Sequence, residues 1–323
     1  MSKPQIADRG PPRDSIQEFA TLIVEKLELG VKPWVRPWDP MKCAGPDAPM
    51  NAVTGEYYHG VNNLRFSMHP LAFESGDPRF CTYNQAQSKD WQVKRGEHGT
   101  VGWFYKQLEV DDDKADAGKR FIPLLKSFVV FHVSQIDGPP PYKPPTVEEC
   151  PWKSEEATEI IMKSSGVPVR IGGDRAFYSP PTDHIQMPPS VAFKSAAHEA
   201  CVKIHELAHS TGKETRLNRD LTGRFGSAAY AMEELFAELA SAFVGVTLNI
   251  PTDIPNHASY IDHWLKPLKS DKKLIFHAAA TAQKITDWIL NLHPDYAEFS
   301  ARHEQPERPG PSHGSQRDKS LTA

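Results

Sequence analysis

The sequence predicts an α+β chain of two domains, an N-terminal α+β unit followed by a mainly helical one. Three observations carry this. The chain has 323 residues, more than one hydrophobic core readily organises. Two runs rich in β-branched and aromatic residues, 100–110 and 124–133, lie in the first half, whereas the second half is dominated by helical patterns. Between the halves, G-P-P-P-Y-K-P-P at 138–145 cannot hold a regular core element. The expected layout is a disordered start at 1–12, a first domain at 13–137, a Pro-rich linker at 138–150, a second domain at 151–296 and a disordered tail at 297–323.

Each element follows from its residues. Residues 1–12 are polar and Pro-rich. Asp14 stands as an N-cap with Gln17 three residues on. Ile16, Phe19, Ile23 and Leu27 then repeat at helical spacing up to a stop at Gly30. Prolines at 33, 37 and 40 exclude a helix from V-K-P-W-V-R-P-W-D-P and favour an extended segment. Residues 82–91 read as a short helix and K-R-G-E-H-G at 94–99 as a turn. The two strands follow, joined by an acidic tip at 111–119. Past the linker, 154–164 reads as a helix, and 175–179 and 184–187 as short strands around P-P-T-D. A long helix is expected over 191–210 with Gly212 as its stop, and another over 230–244. A last helix runs from a cap at Ser270 or Asp271 to Leu292.

Composition excludes several classes. The net charge is −4, so nucleic acid could be held only by a local groove and stacking, not by a bulk positive field. No apolar run is long enough to cross a membrane, and the first ten residues hold no apolar leader segment. Cys43, Cys81, Cys150 and Cys201 are scattered with no C-x-x-C pair. That argues against a disulfide framework or a cysteine zinc site, and fits a reducing, cytoplasmic setting.

The first half interleaves rings with cations: Trp34, Arg36 and Trp38, then Tyr57, Tyr58, Arg65, Tyr83, Lys94, Arg95 and Trp103. Single-stranded nucleic-acid sites combine the two, because rings stack on bases for about 1–3 kcal/mol each and cations track phosphates. For any one ring, burial in the core is the competing account.

The second half holds K-I-H-E-L-A-H-S-T-G at 203–212. On a helix His205 and His209 lie four apart on one face and can share an ion. Glu206 stands nearly beside them, where it can take a proton from a water on that ion. Zn2+ is the expected cofactor, with Mn2+ also compatible with imidazole and carboxylate ligands. A catalytic ion needs a third protein ligand, and the acid-bearing helix Y-A-M-E-E-L-F-A-E-L-A supplies candidates. The order resembles Glu-type zincins, in which the ligand helix follows the H-E-x-x-H helix and a second acid often stands four residues after the ligand. That resemblance implies Glu234 as the ligand, with Glu238 orienting a histidine and Glu233 as the alternative ligand. Tyr230, one turn before Glu234, could stabilise an oxyanion, as could Tyr178. His184, His257 and His263 are further histidines within reach, and His198-Glu199 reads as helix surface. A hairpin followed by such a helix suits a zincin, where an edge strand beside the active helix binds an extended peptide.

Six segments in this order resemble the ArdC-type antirestriction proteins of conjugative plasmids. They are W-x-x-P-W at 34–38, P-M-N-A-V-T-G-E-Y-Y-H-G-V-N at 49–62, K-R-G-E-H-G at 94–99, D-H-I-Q-M-P at 183–188, H-E-L-A-H-S-T-G at 205–212 and Y-A-M-E-E-L-F-A-E-L at 230–239. The resemblance implies an N-terminal single-stranded DNA-binding domain and a C-terminal zincin-like metallopeptidase domain. It also implies protection of incoming plasmid DNA from host restriction during conjugation. The two-domain layout adds a protein substrate on that DNA, such as a restriction component, as an expected partner. Ser210 departs from the aromatic expected after H-E-L-A-H. A rival account is a DNA-coating protein whose metal site is structural or degenerate.

Overall fold

The structure is a computed structural model that describes residues 14–34, 48–111, 119–143, 154–223, 227–248, 250 and 258–296. The predicted strand tip, both predicted disordered ends and most of the predicted linker lie outside the described residues, except for Asp111, Lys119 and the linker's first residues, 138–143. Helix α1 (Ser15–Glu28) is capped as its sequence demands: the Asp14 side chain accepts from the Gln17 N–H at 3.1 Å, and Gly30 has a φ of 73°. Strand β1 (Met50–Asn51), helices α2 (Gly60–Ser67) and α3 (Pro70–Ser75), and strand β2 (Arg79–Thr82) follow. Helix α4 (Tyr83–Gln87) carries a capping box between Thr82 and Gln85. Strand β3 (Gln92–Val93), the long pair β4 (Thr100–Asp111) and β5 (Lys119–His132), and β6 (Ile136–Asp137) complete the first half.

The main sheet has the order β1-β2-β5-β4. β1 runs parallel to β2, and the other pairs are antiparallel. β3 and β6 form a separate ribbon. Gly102 allows a close approach, since a Cβ there would meet the Phe128 ring at 2.7 Å and the Phe66 ring at 2.8 Å. The first residues of the Pro-rich stretch fold back on the sheet: Arg79 donates to Pro140 O at 2.8 Å and lies 5.3 Å from the Tyr142 ring.

The second half opens with helix α5 (Ser154–Ser165) and the sheet β7 (Val169–Ile171), β8 (Phe177–Ser179) and β9 (His184–Met187), ordered β7-β9-β8. Helices α6 (Ala196–Ser210), α7 (Ala228–Leu248), α8 (Ala258–Ser270) and α9 (Leu274–Leu290) complete it. Helix α6 starts later than its apolar pattern predicts. Residues 190–192 form a separate 3-10 turn, Phe193 is extended, and Ser195 caps the helix by accepting from the His198 N–H at 3.1 Å. Ser270 ends α8 instead of capping α9, which starts after Lys273.

One apolar cluster joins the halves. It holds Phe19, Ile23, Leu27, Trp34, Leu64 and Trp103 together with Leu235, Leu239, Trp264 and Ile285. Trp34 lies 5.8 Å from Trp264, and Trp103 lies 5.0 Å from Phe276. Burying each such side chain contributes about 1.5–3 kcal/mol. Two smaller clusters sit on the main sheet, around Phe66, Phe80 and Val130 and around Cys81, Ala86 and Ile136. Among the described residues no helix is long and apolar enough to cross a membrane.

Candidate metal centre

Helix α6 presents His205 and His209 on one side because they stand four residues apart. Their Nε2 atoms are 3.2 Å apart. Two nitrogens held by a tetrahedral zinc at ordinary bond lengths are about 3.3 Å apart, so the pair already has the spacing of two ligands. Helix α7 packs against α6 and brings Glu234 to both rings. Its Oε2 is 3.5 Å from His205 Nε2 and its Oε1 is 3.7 Å from His209 Nε2. Ligand atoms of these three residues all lie within 4.8 Å of one another, and theirs is the one such group among the described residues. The donor set of two imidazoles and a carboxylate fits a divalent ion with an open position.

Charge balance supports the same fit. Glu233 is paired with Arg219 at 2.6 Å, and Glu238 with Lys32 at 2.8 Å. Glu206 and Glu234 then leave two negative charges beside the histidines, which a dication neutralises. Without an ion, burial depresses the His209 pKa, but hydrogen bonds to Glu233 and Glu234 outweigh it and hold the imidazolium well above its ordinary range. Burial pushes the Glu234 carboxyl up, yet the two histidines bring it well below the usual carboxylate value.

Glu206 is buried, and its Oε2 accepts from the Tyr178 N–H at 2.8 Å. Strand β8 therefore lies along α6 and fixes this carboxylate. Tyr178 is held in turn, because its hydroxyl donates to Asp183 Oδ1 at 2.8 Å, with burial first and Asp183 second raising its pKa to about 12. Asp183 sits in the left-handed region at φ 45° and is bound by Arg216 and Lys213. These groups border a cleft of about 630 Å³ lined also by Phe193, His198, Val202 and Tyr230.

Several sequence expectations change here. Glu238, expected to orient a histidine, accepts at its Oε1 from Lys32 Nζ at 2.8 Å. Glu233, the alternative ligand, has its Oε1 3.2 Å from His209 Nδ1 and is not grouped with the three clustered ligand atoms. His198 is no plain surface residue, since it lines the cleft with its ring 5.6 Å from Phe193. The Tyr178 hydroxyl is engaged by Asp183. His184 is buried with Nδ1 on Thr182 Oγ1 at 2.7 Å, His263 is exposed on α8, and His257 lies outside the described residues. Arg219, Asp183 and Lys32 were not legible as site residues, because loop contacts and contacts across 206 residues have no sequence period.

The candidate nucleic-acid residues scatter. Trp34 and Trp103 are each 4% exposed and packed in the shared core, so neither offers a ring face to a base. Core packing wins there because a ring that size gains more from burial than from solvent contact. Tyr58 is half-buried, with its ring 4.7 Å from Phe66, and Arg65 lies over Phe19 at 5.2 Å. Tyr57 is half-buried on a bridge to Met50. Tyr83, Lys94 and Arg95 are exposed. Arg36 and Trp38 lie outside the described residues.

Comparison with known proteins follows the two halves. Residues 13–131 match the family described as the N-terminal domain of anti-restriction factor ArdC, and residues 156–281 match a zincin-like metallopeptidase family. The chain is 38% identical over 298 residues to a DNA primase TraC of Escherichia coli, covering 87% of this chain and 20% of that protein. A second TraC of that species is 39% identical, covering 85% and 27%. The chain thus spans about a quarter or less of these primases. An uncharacterized protein y4eC of Sinorhizobium fredii is 37% identical, with 87% and 94% covered. Among solved structures, the antirestriction ArdC protein from the R388 plasmid is 31% identical in its metal-free form. The match covers 88% of this chain and 99% of that one, with a TM-score of 0.71. Its Mn(II)-bound form matches at 30% identity and the same TM-score. With both halves matched in order and a solved relative covered almost end to end, this chain belongs to the ArdC antirestriction family.

Proposed function

We propose that this chain binds single-stranded DNA and protects incoming plasmid DNA from host restriction during conjugation, carrying a metal-dependent peptidase centre to that DNA. The observation that carries the reading is the convergence of His205, His209 and Glu234 beside Glu206 in an open cleft. Residues 13–137 are the DNA-binding half and 151–296 the metal half, joined by the Pro-rich stretch, and the protein acts in the cytoplasm. A solved relative described as an antirestriction protein with Mn(II) bound supports both the metal and the role.

His205, His209 and Glu234 hold the ion in this proposal. Zn2+ suits their donor atoms, and Mn2+ is the ion of the solved relative. A bound ion supplies Lewis acidity toward a peptide carbonyl. Glu206 accepts a proton from the attacking water, with its second oxygen fixed by the Tyr178 N–H. Tyr230 on the cleft wall donates to the developing oxyanion. Strand β8 is the outer strand of its sheet and gives an extended peptide a backbone edge, although Glu206 already takes the Tyr178 N–H. DNA tethering raises the local concentration of proteins bound to the same strand, a restriction component among them.

The test compares the wild type with Glu206→Ala for protection of an incoming plasmid against a resident restriction system. Loss of protection with metal content unchanged supports proteolysis. Full protection by Glu206→Ala would sink it and leave DNA coating around a structural metal as the mechanism. DNA binding is read separately from fluorescence anisotropy of a labelled oligonucleotide, and its affinity must fall as salt rises.

A further inference from the structure

We propose that Arg219 and Glu233 form a positioning pair that holds His209 in the tautomer whose Nε2 faces the metal. This rests on the metal-centre reading above. The Nε2 atoms of both histidines face Glu234, so the other nitrogen of His209 looks away from the ion. That nitrogen, Nδ1, lies 3.2 Å from Glu233 Oε1. A neutral imidazole has one N–H and one lone pair. A carboxylate can only accept, so Glu233 selects the form with hydrogen on Nδ1 and leaves Nε2 its lone pair.

Glu233 is 8% exposed, and a carboxylate so buried needs a fixed donor. Arg219 provides a fork, with Nη2 at 2.6 Å from Oε1 and Nε at 3.2 Å from Oε2. The same guanidinium donates to Ala208 O at 3.1 Å and to the Thr211 hydroxyl. Both lie at the last turn of α6, beside His209. Arg219 thus ties three things together: the loop after α6, the end of α6 and the first half of α7. Glu233 follows from this geometry as an outer partner and not as the third ligand, since both its oxygens are engaged by Arg219 and it faces the wrong nitrogen of His209. Arg219 is a positioning residue that acts through Glu233.

The experiment is calorimetric titration of the metal-free full chain with Mn2+ alone, with unfolding temperature and circular dichroism confirming the fold. Glu233→Gln is expected to weaken Mn2+ binding about 10–100-fold while Glu234→Gln abolishes it. Arg219→Lys keeps the charge but loses the fork, and should weaken binding in the same direction. It also carries the test if Glu233→Gln does not fold. The double variant should cost little more than Glu233→Gln alone, because the two residues act in series. In Zn2+-loaded protein, the His209 Nδ1–H proton resonance should move upfield and exchange faster in Glu233→Gln, which a purely structural role would not produce. Wild-type Mn2+ affinity in a folded Glu233→Gln would overturn the proposal while leaving the metal centre intact. Abolition by Glu233→Gln with binding retained in Glu234→Gln would overturn it by making Glu233 the ligand. A wild type that binds no Mn2+ or Zn2+ would remove the metal reading, and this inference with it.

Discussion

His209 shows how one residue links folding to chemistry. In the metal-free protein its carboxylate neighbours outweigh burial and raise its pKa well above 6.5. Under the proposed function, a metal at its Nε2 would compete with that bound proton. The sign follows. Affinity falls as pH drops, by about tenfold per unit for one competing proton, and rises as pH climbs toward the raised value. Titrations in two buffers of different ionisation enthalpy should show proton release on binding near pH 7. A metal affinity flat between about pH 6 and 8 would contradict this. The pairing of His205 with His209 was legible at this scale, because the H-E-x-x-H spacing dictates one helix face. The outer partners were not. Glu233 and Glu238 both suited the role of outer acid by position, and their cation partners, Arg219 and Lys32, arrive from elsewhere in the chain.

At the scale of elements, capping decided what apolar pattern alone could not. The pattern placed the helix bearing His205 and His209 from residue 191, but a Ser195 hydroxyl that accepts from the His198 N–H fixes its true start. Ser195→Ala should lower stability by about 1 kcal/mol, read as a shift in the urea midpoint at unchanged slope. Helix α8 escaped notice because Pro267 sits inside it, near its end. The hairpin of β8 and β9 is braced by Asp183. Hydrogen bonds from Arg216, then Lys213, hold its carboxyl well below the ordinary 3.8 despite burial. A depressed carboxylate stabilises the fold above its ordinary value and loses that contribution as pH falls through the lowered one. Asp183→Asn should therefore be less stable than wild type near neutrality, with the difference shrinking in strong acid. A stability gap independent of pH would contradict the brace.

For the whole molecule, the shared core is the central finding. α1 packs on α8 and α2 on α9, and Phe19, Trp34 and Trp103 sit among residues of the second half. Unfolding followed by tryptophan fluorescence and by circular dichroism should give one coincident transition, whereas two separate transitions would mean that this core does not couple the halves. Trp103→Ala should cost about 3–5 kcal/mol by opening that core. It should leave oligonucleotide affinity unchanged at temperatures where the variant is folded, and a selective loss of DNA binding would restore Trp103 as a base-stacking residue.

Local rules in the sequence determined the α+β class, the capped helices, the paired strands and the His205–Glu206–His209 face, because helix and strand periods are properties of neighbouring residues. The order of six short segments carried the family. Only the tertiary structure decided that Glu234 meets both Nε2 atoms, that Glu206 is fixed by the Tyr178 N–H, and that Lys32 reaches Glu238 across 206 residues. It also decided which aromatic residues are core. A ring beside a cation reads the same in sequence whether it is buried or exposed, and long-range packing chooses between the two.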